Sequence, residues 1–280
     1  MSQLMDITVG HTPDSDDAFM FYGMHGDRIP NTGFTIRHAI EDIEKLNRRA
    51  CRPDLDVTAI SAHACAYAPD YTILRSGGSF GINYGPIVTA RKRLSLEDVK
   101  RSKVAIPGKM TSAFLLLQLM IGKFEYVEMN FSDIPTAVRE GVVDAGLVIH
   151  ETQLSYDVEG NVKIADIGEW WNKTTGGLPV PLGINAMRTN HGEDLIRRFD
   201  AYLHDSILYG MQHFEDALDY AMRYSRGRPR DLIARFVKMY VNEKTVDMGT
   251  AGEESINLMM EMARKQGLVP NPKITIAPDL

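Results

Sequence analysis

Residues 103–112 read Lys-Val-Ala-Ile-Pro-Gly-Lys-Met-Thr-Ser and run on into Ala113–Ile121, an apolar stretch interrupted by Gln118 and stopped at Gly122. The first four residues have strand character. Pro107-Gly108 break the chain, and Thr111-Ser112 stand where a helix N-cap belongs. The stretch therefore reads strand–loop–helix, the repeating unit of an α/β fold.

The same grammar extends outward. Strands are expected at 6–10, 56–60, 72–75 and 87–91 before this unit, and at 126–131, 145–149 and 162–167 after it. Between them lie helical spacing at Ile43, Leu46 and Ala50, a capping box from Ser95 to Asp98, and a helix over 134–140. From about 192 to 266 the chain turns helical, with Leu195, Phe199, Leu203 and Ile207 on one face. The tail from Pro270-Asn271-Pro272 onward reads as extended. The alternation predicts mostly parallel strands in two lobes. Residues 1–91 and 189–280 would form a large discontinuous α/β lobe and 92–188 a small one, with crossings near 89–92 and 185–190. Ligands of such folds sit outside the carboxyl ends of strands, so the loops after Gly10, Ile60, Ile106 and Ile149 are expected to share one cleft.

Composition narrows the function. Among 280 residues, 44% are hydrophobic and 24% charged, which is globular rather than disordered usage. A net charge of -6 excludes a phosphate-coating protein, so no nucleic-acid partner is expected. The two cysteines, Cys51 and Cys65, make neither a disulfide framework nor a zinc ligand set. They read as small buried thiols in a reducing compartment. The N-terminus lacks the charged and apolar regions of a signal peptide, and no apolar run approaches the roughly 20 residues of a membrane helix. A cytoplasmic protein without membrane insertion is expected. No dinucleotide fingerprint or phosphate loop occurs, and His150-Glu151 lacks the second histidine of a zinc motif, so no cofactor and no metal are expected. Met259, Met260 and Met262 read as core or as a subunit contact, the latter making a homodimer.

Three features carry chemistry. His150 ends a buried-looking strand, where a histidine faces the crevice and can transfer protons near neutral pH. Its bland alternative is a structural histidine at a lobe interface. Thr111 and Ser112 open a long apolar helix whose free N–H groups suit a carboxylate, the alternative being a plain N-cap. Ser61 has the same geometry before the Ala-rich stretch 62–66. The acidic loop places Asp14, Asp16 and Asp17 after the first strand. Asp16 and Asp17 either complement a helix dipole, orient substrate hydroxyls or bind a hard cation.

The ordered motifs Thr-Pro-x-x-x-Asp-x-Phe (12–19), Glu-Asp-Ile-Glu-x-Leu-Asn (41–47), Ser61 with its Ala-rich stretch, and Arg75-Ser76-Gly77-Gly78 resemble one family. Gly85-Pro86, Pro107-Gly108 with Thr111, Gly146–Glu151 and Leu178-Pro179-x-Pro181-Leu182-Gly183 continue the likeness over residues 6–268. It is similar to the 1,4-dihydroxy-6-naphthoate synthase family of the futalosine route to menaquinone. The resemblance implies a two-lobe type II periplasmic-binding-protein-like fold and a cytoplasmic lyase. That lyase converts cyclic dehypoxanthine futalosine to 1,4-dihydroxy-6-naphthoate, without a redox cofactor. By the same resemblance His150 is the base, and Ser61 and Thr111 hold a carboxylated small-molecule substrate. The alternatives are a solute-binding protein of this fold and a chorismate dehydratase-like enzyme. One departure stands out. Where the family's first loop usually reads Ser-Pro-Cys-Pro-Asn-Asp-Thr-Phe, this chain has Asp14 for Cys and Asp16 for Asn. Two added carboxylates disfavour an anionic substrate unless they are paired or face solvent.

Overall fold

A computed structural model describes residues 4–26, 28–158, 160–270 and 273–280. Its strands are β1 (Met5–His11), β2 (Phe34–Ile40), β3 (Val57–Ser61), β4 (Tyr71–Ile73), β5 (Ser79–Gly81), β6 (Ile87–Ala90), β7 (Lys103–Ile106), β8 (Glu125–Glu128), β9 (Ala145–Val148), β10 (Val162–Asp166), β11 (Val180–Arg188) and β12 (Thr275–Ile276). Its helices are α1 (Ser15–Met20), α2 (Ile43–Ala50), α3 (Leu96–Lys100), α4 (Ser112–Ile121), α5 (Ile134–Glu140), α6 (Ile167–Thr175), α7 (Glu193–Gln212), α8 (Phe214–Ala221), α9 (Arg230–Tyr240), α10 (Glu243–Val246) and α11 (Gly249–Lys265).

The strands form two sheets, one per lobe. The first runs β12-β4-β11-β3-β1-β2 with β5 against β11, and the second runs β10-β6-β9-β7-β8. Parallel pairing holds where βα units repeat, β1 with β2 and β3, and β7 with β8 and β9. The expectation of mostly parallel strands is corrected at the crossings. There β6 runs antiparallel to β9 and β10, and β11 antiparallel to β3, β4 and β5. These are the first strands after each change of lobe. A strand that enters from the cleft side runs against those whose carboxyl ends point to the cleft. Sheet membership changes between Gly81 and Ile87 and again between Asp166 and Val180, so β6 and β11 fall on the far side of the crossings expected near 89–92 and 185–190. The two connections touch: Ile167 N–H donates to the Pro86 carbonyl at 2.9 Å. Gly168 is needed there, because a Cβ would sit 2.0 Å from the Tyr84 carbonyl carbon.

Two strands lack a clear signal in the sequence. β2 lies at a sheet edge and is mostly exposed, and β11 carries Pro181 and Gly183 at a register shift against β5. The expected strand 126–131 ends at Glu128. The expected capping box at Ser95–Asp98 forms and opens α3.

One apolar core spans both lobes, joining Leu115, Leu116 and Leu117 of α4 to Trp171 and Met259. Trp171 is fully buried and its Nε1–H donates to Ser255 Oγ at 3.1 Å, tying α6 to α11. Met259 and Met260 are therefore core. A second core gathers Phe19, Phe34, Phe199 and Leu203 under α1 and α7. Both cysteines are free. Cys65 is buried, which pushes its thiol up to about 12, whereas Cys51 is exposed, against the expectation of two buried thiols. Beyond residue 272 the tail pairs β12 with β4 in parallel; Asn271 and Pro272 lie outside the described residues. Among the described residues no helix is long and apolar enough to cross a membrane.

Candidate active site

A cavity between the lobes holds about 680 Å³ of empty space, counting the part open to solvent. Its wall brings together Asp16, Asp17, Ser61, Thr111, Ser112 and His150, all six residues singled out in the sequence. The loops after β1, β3, β7 and β9 do converge. Thr12, from the first quoted motif, lines the same wall, as do Gln153, Asn185 and Tyr240, which carry no recognisable local motif.

One part of the wall is built from hydroxyls and backbone. Thr111 caps α4, its Oγ1 accepting from Phe114 N–H at 3.3 Å and donating to the Gly108 carbonyl at 2.8 Å. Ser112 Oγ donates to the Leu182 carbonyl at 2.5 Å and accepts from His63 N–H at 3.2 Å. Both hydroxyls are committed within the protein. What α4 keeps for a ligand is the N–H groups of Ser112 and Ala113, since that of Phe114 is taken by the Thr111 cap. Ser61 differs from the expected N-cap. The segment after it, Ala62–Tyr67, is a 3-10 helix, and the Ser61 side chain caps nothing. Instead Asn47, fully buried on α2, donates Nδ2–H to Ser61 Oγ at 3.0 Å and accepts from Ser61 N–H at 2.7 Å. Asn47 was not among the expected site residues. Its signal was an amide on the buried face of α2, beside Leu46 and Ala50. Burial pushes His63 down to about 4, so at neutral pH it adds no charge beside α4.

The other part is charged. β9 stops at Val148, and His150 opens a 3-10 turn (His150–Leu154) instead of ending the strand. Its φ is 54°, left-handed backbone that costs a non-glycine residue on the order of 1–3 kcal/mol. Neighbours hold it there. With its amide turned to satisfy every atom, Gln153 accepts from His150 N–H at 3.1 Å and from the Tyr240 hydroxyl at 2.6 Å, and donates to the Gly85 carbonyl at 2.6 Å. The ring lies 4.9 Å from the Phe131 centroid, and Nδ1 is 3.4 Å from Asp14 Oδ2. Asp14 Oδ1 meets Arg226 Nη2 at 2.9 Å. Arg226 and Arg228 both reach Glu151, at 3.5 and 3.3 Å. Arginines from the α8–α9 connection thus lock onto the residue next to His150.

Asp16 and Asp17 stand in the first turn of α1, as the dipole reading expects, and the whole acidic loop is buried. Asp17 Oδ2 accepts from Thr12 N–H at 2.6 Å and Oγ1–H at 2.8 Å. Burial raises the Asp17 carboxyl, while His11 and Thr12 pull the other way. Asp16 Oδ1 is buried without a partner. Burial first, then the charges of Asp17 and Asp14, push Asp16 well above the usual carboxylate range. The added carboxylates are therefore accommodated: Asp14 faces the Arg226 guanidinium, and the charged form of Asp16 is disfavoured. No cluster of three or more His, Cys, Asp or Glu with metal-holding geometry occurs among the described residues.

A family model described as menaquinone biosynthesis matches residues 7–265. The chain belongs to the menaquinone-biosynthesis family. A 1,4-dihydroxy-6-naphthoate synthase of Thermus thermophilus is 36% identical over 269 residues, covering 95% of this chain and 97% of the relative. The chain is thus an enzyme of this type. A crystal structure of a protein from Archaeoglobus fulgidus superposes with a TM-score of 0.89 at 43% identity, covering 94% of this chain and 98% of that one. The alkanesulfonate-binding protein of Xanthomonas axonopodis gives a TM-score of 0.71 at 12% identity, over 97% of this chain and 96% of its own. At that identity the likeness is one of fold, and it makes this menaquinone-biosynthesis enzyme periplasmic-binding-protein-like.

Proposed function

We propose that this enzyme cleaves cyclic dehypoxanthine futalosine to 1,4-dihydroxy-6-naphthoate, with His150 as the base that starts the reaction. The observation that supports this best is a histidine held in left-handed backbone in the same cavity as the first turn of α4. Strain of this kind persists where surrounding contacts over-determine it, as they do at reactive sites. In this reading the substrate carboxylate lies against the first-turn N–H groups of α4, beside Ser61. His150 takes a proton from the substrate carbon skeleton, and fixed N–H dipoles stabilise the developing anion. Asp16, whose carboxyl is pushed up by burial and its acidic neighbours, repels such an anion less than a solvated aspartate would. Closure of the two lobes over the substrate then keeps water from the reacting centre.

The test is direct turnover. Purified enzyme and His150→Ala are incubated with cyclic dehypoxanthine futalosine, and product is followed by mass and ultraviolet absorbance. His150→Ala should lose about 10²–10⁴ of the rate, the usual worth of a positioned base, and still bind the substrate. A fully active alanine variant would remove His150 from its role. A wild type that binds the substrate and leaves it unchanged would remove the substrate assignment.

A further inference from the structure

Asp14 occupies the N-cap position of α1, where an aspartate ordinarily accepts from a first-turn N–H. Here its side chain makes no cap bond. It is 3% exposed and turns away from its own helix, one oxygen to Arg226 and the other to His150 Nδ1. A local preference worth about 1 kcal/mol has been overridden by contacts across the cleft.

We propose that Asp14 is a positioning residue for His150, holding its ring with the proton on Nδ1 so that Nε2 carries the lone pair that accepts the substrate's proton. This rests on the reading of His150 as the base. A buried carboxylate against Nδ1 selects that tautomer and stabilises the imidazolium formed on proton transfer. Arg226 Nη2 stands 2.9 Å from the second carboxylate oxygen, an ion pair that favours this rotamer although that oxygen accepts no hydrogen bond. Glu151 pairs with both Arg226 and Arg228, and the buried carboxyls of Asp16 and Asp17 lie near enough to Asp14 to feel its charge. Asp14 and Arg226 belong to the lobe of β1, and His150 to the lobe of β9. The base is therefore aligned only when the lobes meet as they do here.

Asp14→Asn tests this without changing the shape of the side chain. With Arg226 keeping the oxygen, the amide N–H₂ faces Nδ1 and drives the proton to Nε2. The ¹⁵N spectrum of histidine-labelled protein, taken where the ring is neutral, should show the Nδ1–H tautomer in wild type and the Nε2–H tautomer in Asp14→Asn. With cyclic dehypoxanthine futalosine, kcat should fall by about 100-fold, within the worth of an aligned base, while KM stays nearly unchanged. An Nε2–H tautomer in wild type overturns the proposal, whatever the variant does. So does an unchanged tautomer in a folded variant, or a loss confined to KM, since a mere brace would give those. If wild type fails to turn the substrate over yet the tautomer switches, the reaction assignment falls and the role of Asp14 stands. If wild type is active and the tautomer does not switch, the reverse holds.

Discussion

The two parts of the cavity wall work by different physics. Around Ser61, Thr111 and Ser112 the polar contacts come from hydroxyls, the Asn47 amide and backbone N–H groups. Around His150, Asp14, Glu151, Arg226 and Arg228 meet as a network of opposite charges. Fixed dipoles are enough to receive an anion. A group that must gain a proton in a buried place needs charges of its own, because an unpaired buried ion is costly. In the dipolar part only the Thr111 cap is local; Asn47 reaches Ser61, and His63 and Leu182 reach Ser112, from distant parts of the chain. The charged part draws on residues 14, 150 and 226, which are neighbours only in the folded chain.

The contrast can be broken most severely at His150. His150→Ala should remove nearly all turnover and spare binding, since the dipolar part remains. Asp14→Asn, which leaves every heavy-atom position in place, should reach a smaller loss of kcat through the wrong tautomer. The dipolar part should respond in the opposite sense. Asn47→Leu leaves the Ser61 N–H buried without its acceptor, a defect of about 1–3 kcal/mol. Urea unfolding should show that loss, and kinetics should show a raised KM at nearly constant kcat. A kcat-only effect would dissolve the division between the two parts. Thr111→Ala should cost about 1 kcal/mol as a lost N-cap, with a modest rise in KM.

A further effect is one of pH. Burial pushes His63 in the fold down to about 4, from about 6.5 when unfolded. Its contribution to stability is complete above pH 6.5 and is lost as pH falls toward 4, because the unfolded chain takes up the proton first. His38 follows the same sense, also pushed down to about 4 by burial. Melting temperatures between pH 7 and pH 4.5 should fall less steeply for His63→Gln than for wild type. Equal slopes would show that a charge is tolerated next to the α4 terminus.

Much of the architecture was legible in residue order. The unit at 103–121 and the strand ends near Ile60 and Ile149 put Ser61, Thr111 and His150 at one crevice, because parallel strands deliver their carboxyl ends to the same side. β11 was not legible, since Pro181 and Gly183 weaken its local signal and only its sheet neighbours make it a strand. The helical reading after Ser61 came out as a 3-10 turn, because Asn47 claims both polar groups that would have started a cap.

By itself the sequence determined the α/β class, the residues that reach the cavity, the resemblance to its family and the absence of a long apolar helix. Each depends on periodicity, turn chemistry or motif order, which act over a few residues. Only the tertiary structure decided that the acidic loop is buried, that Asp14 turns to His150 and Arg226 instead of capping α1, and that burial and two acidic neighbours raise the Asp16 carboxyl. Those outcomes depend on solvent exclusion and on which distant charges come within a few ångströms, and neither is encoded in the spacing of residues along the chain.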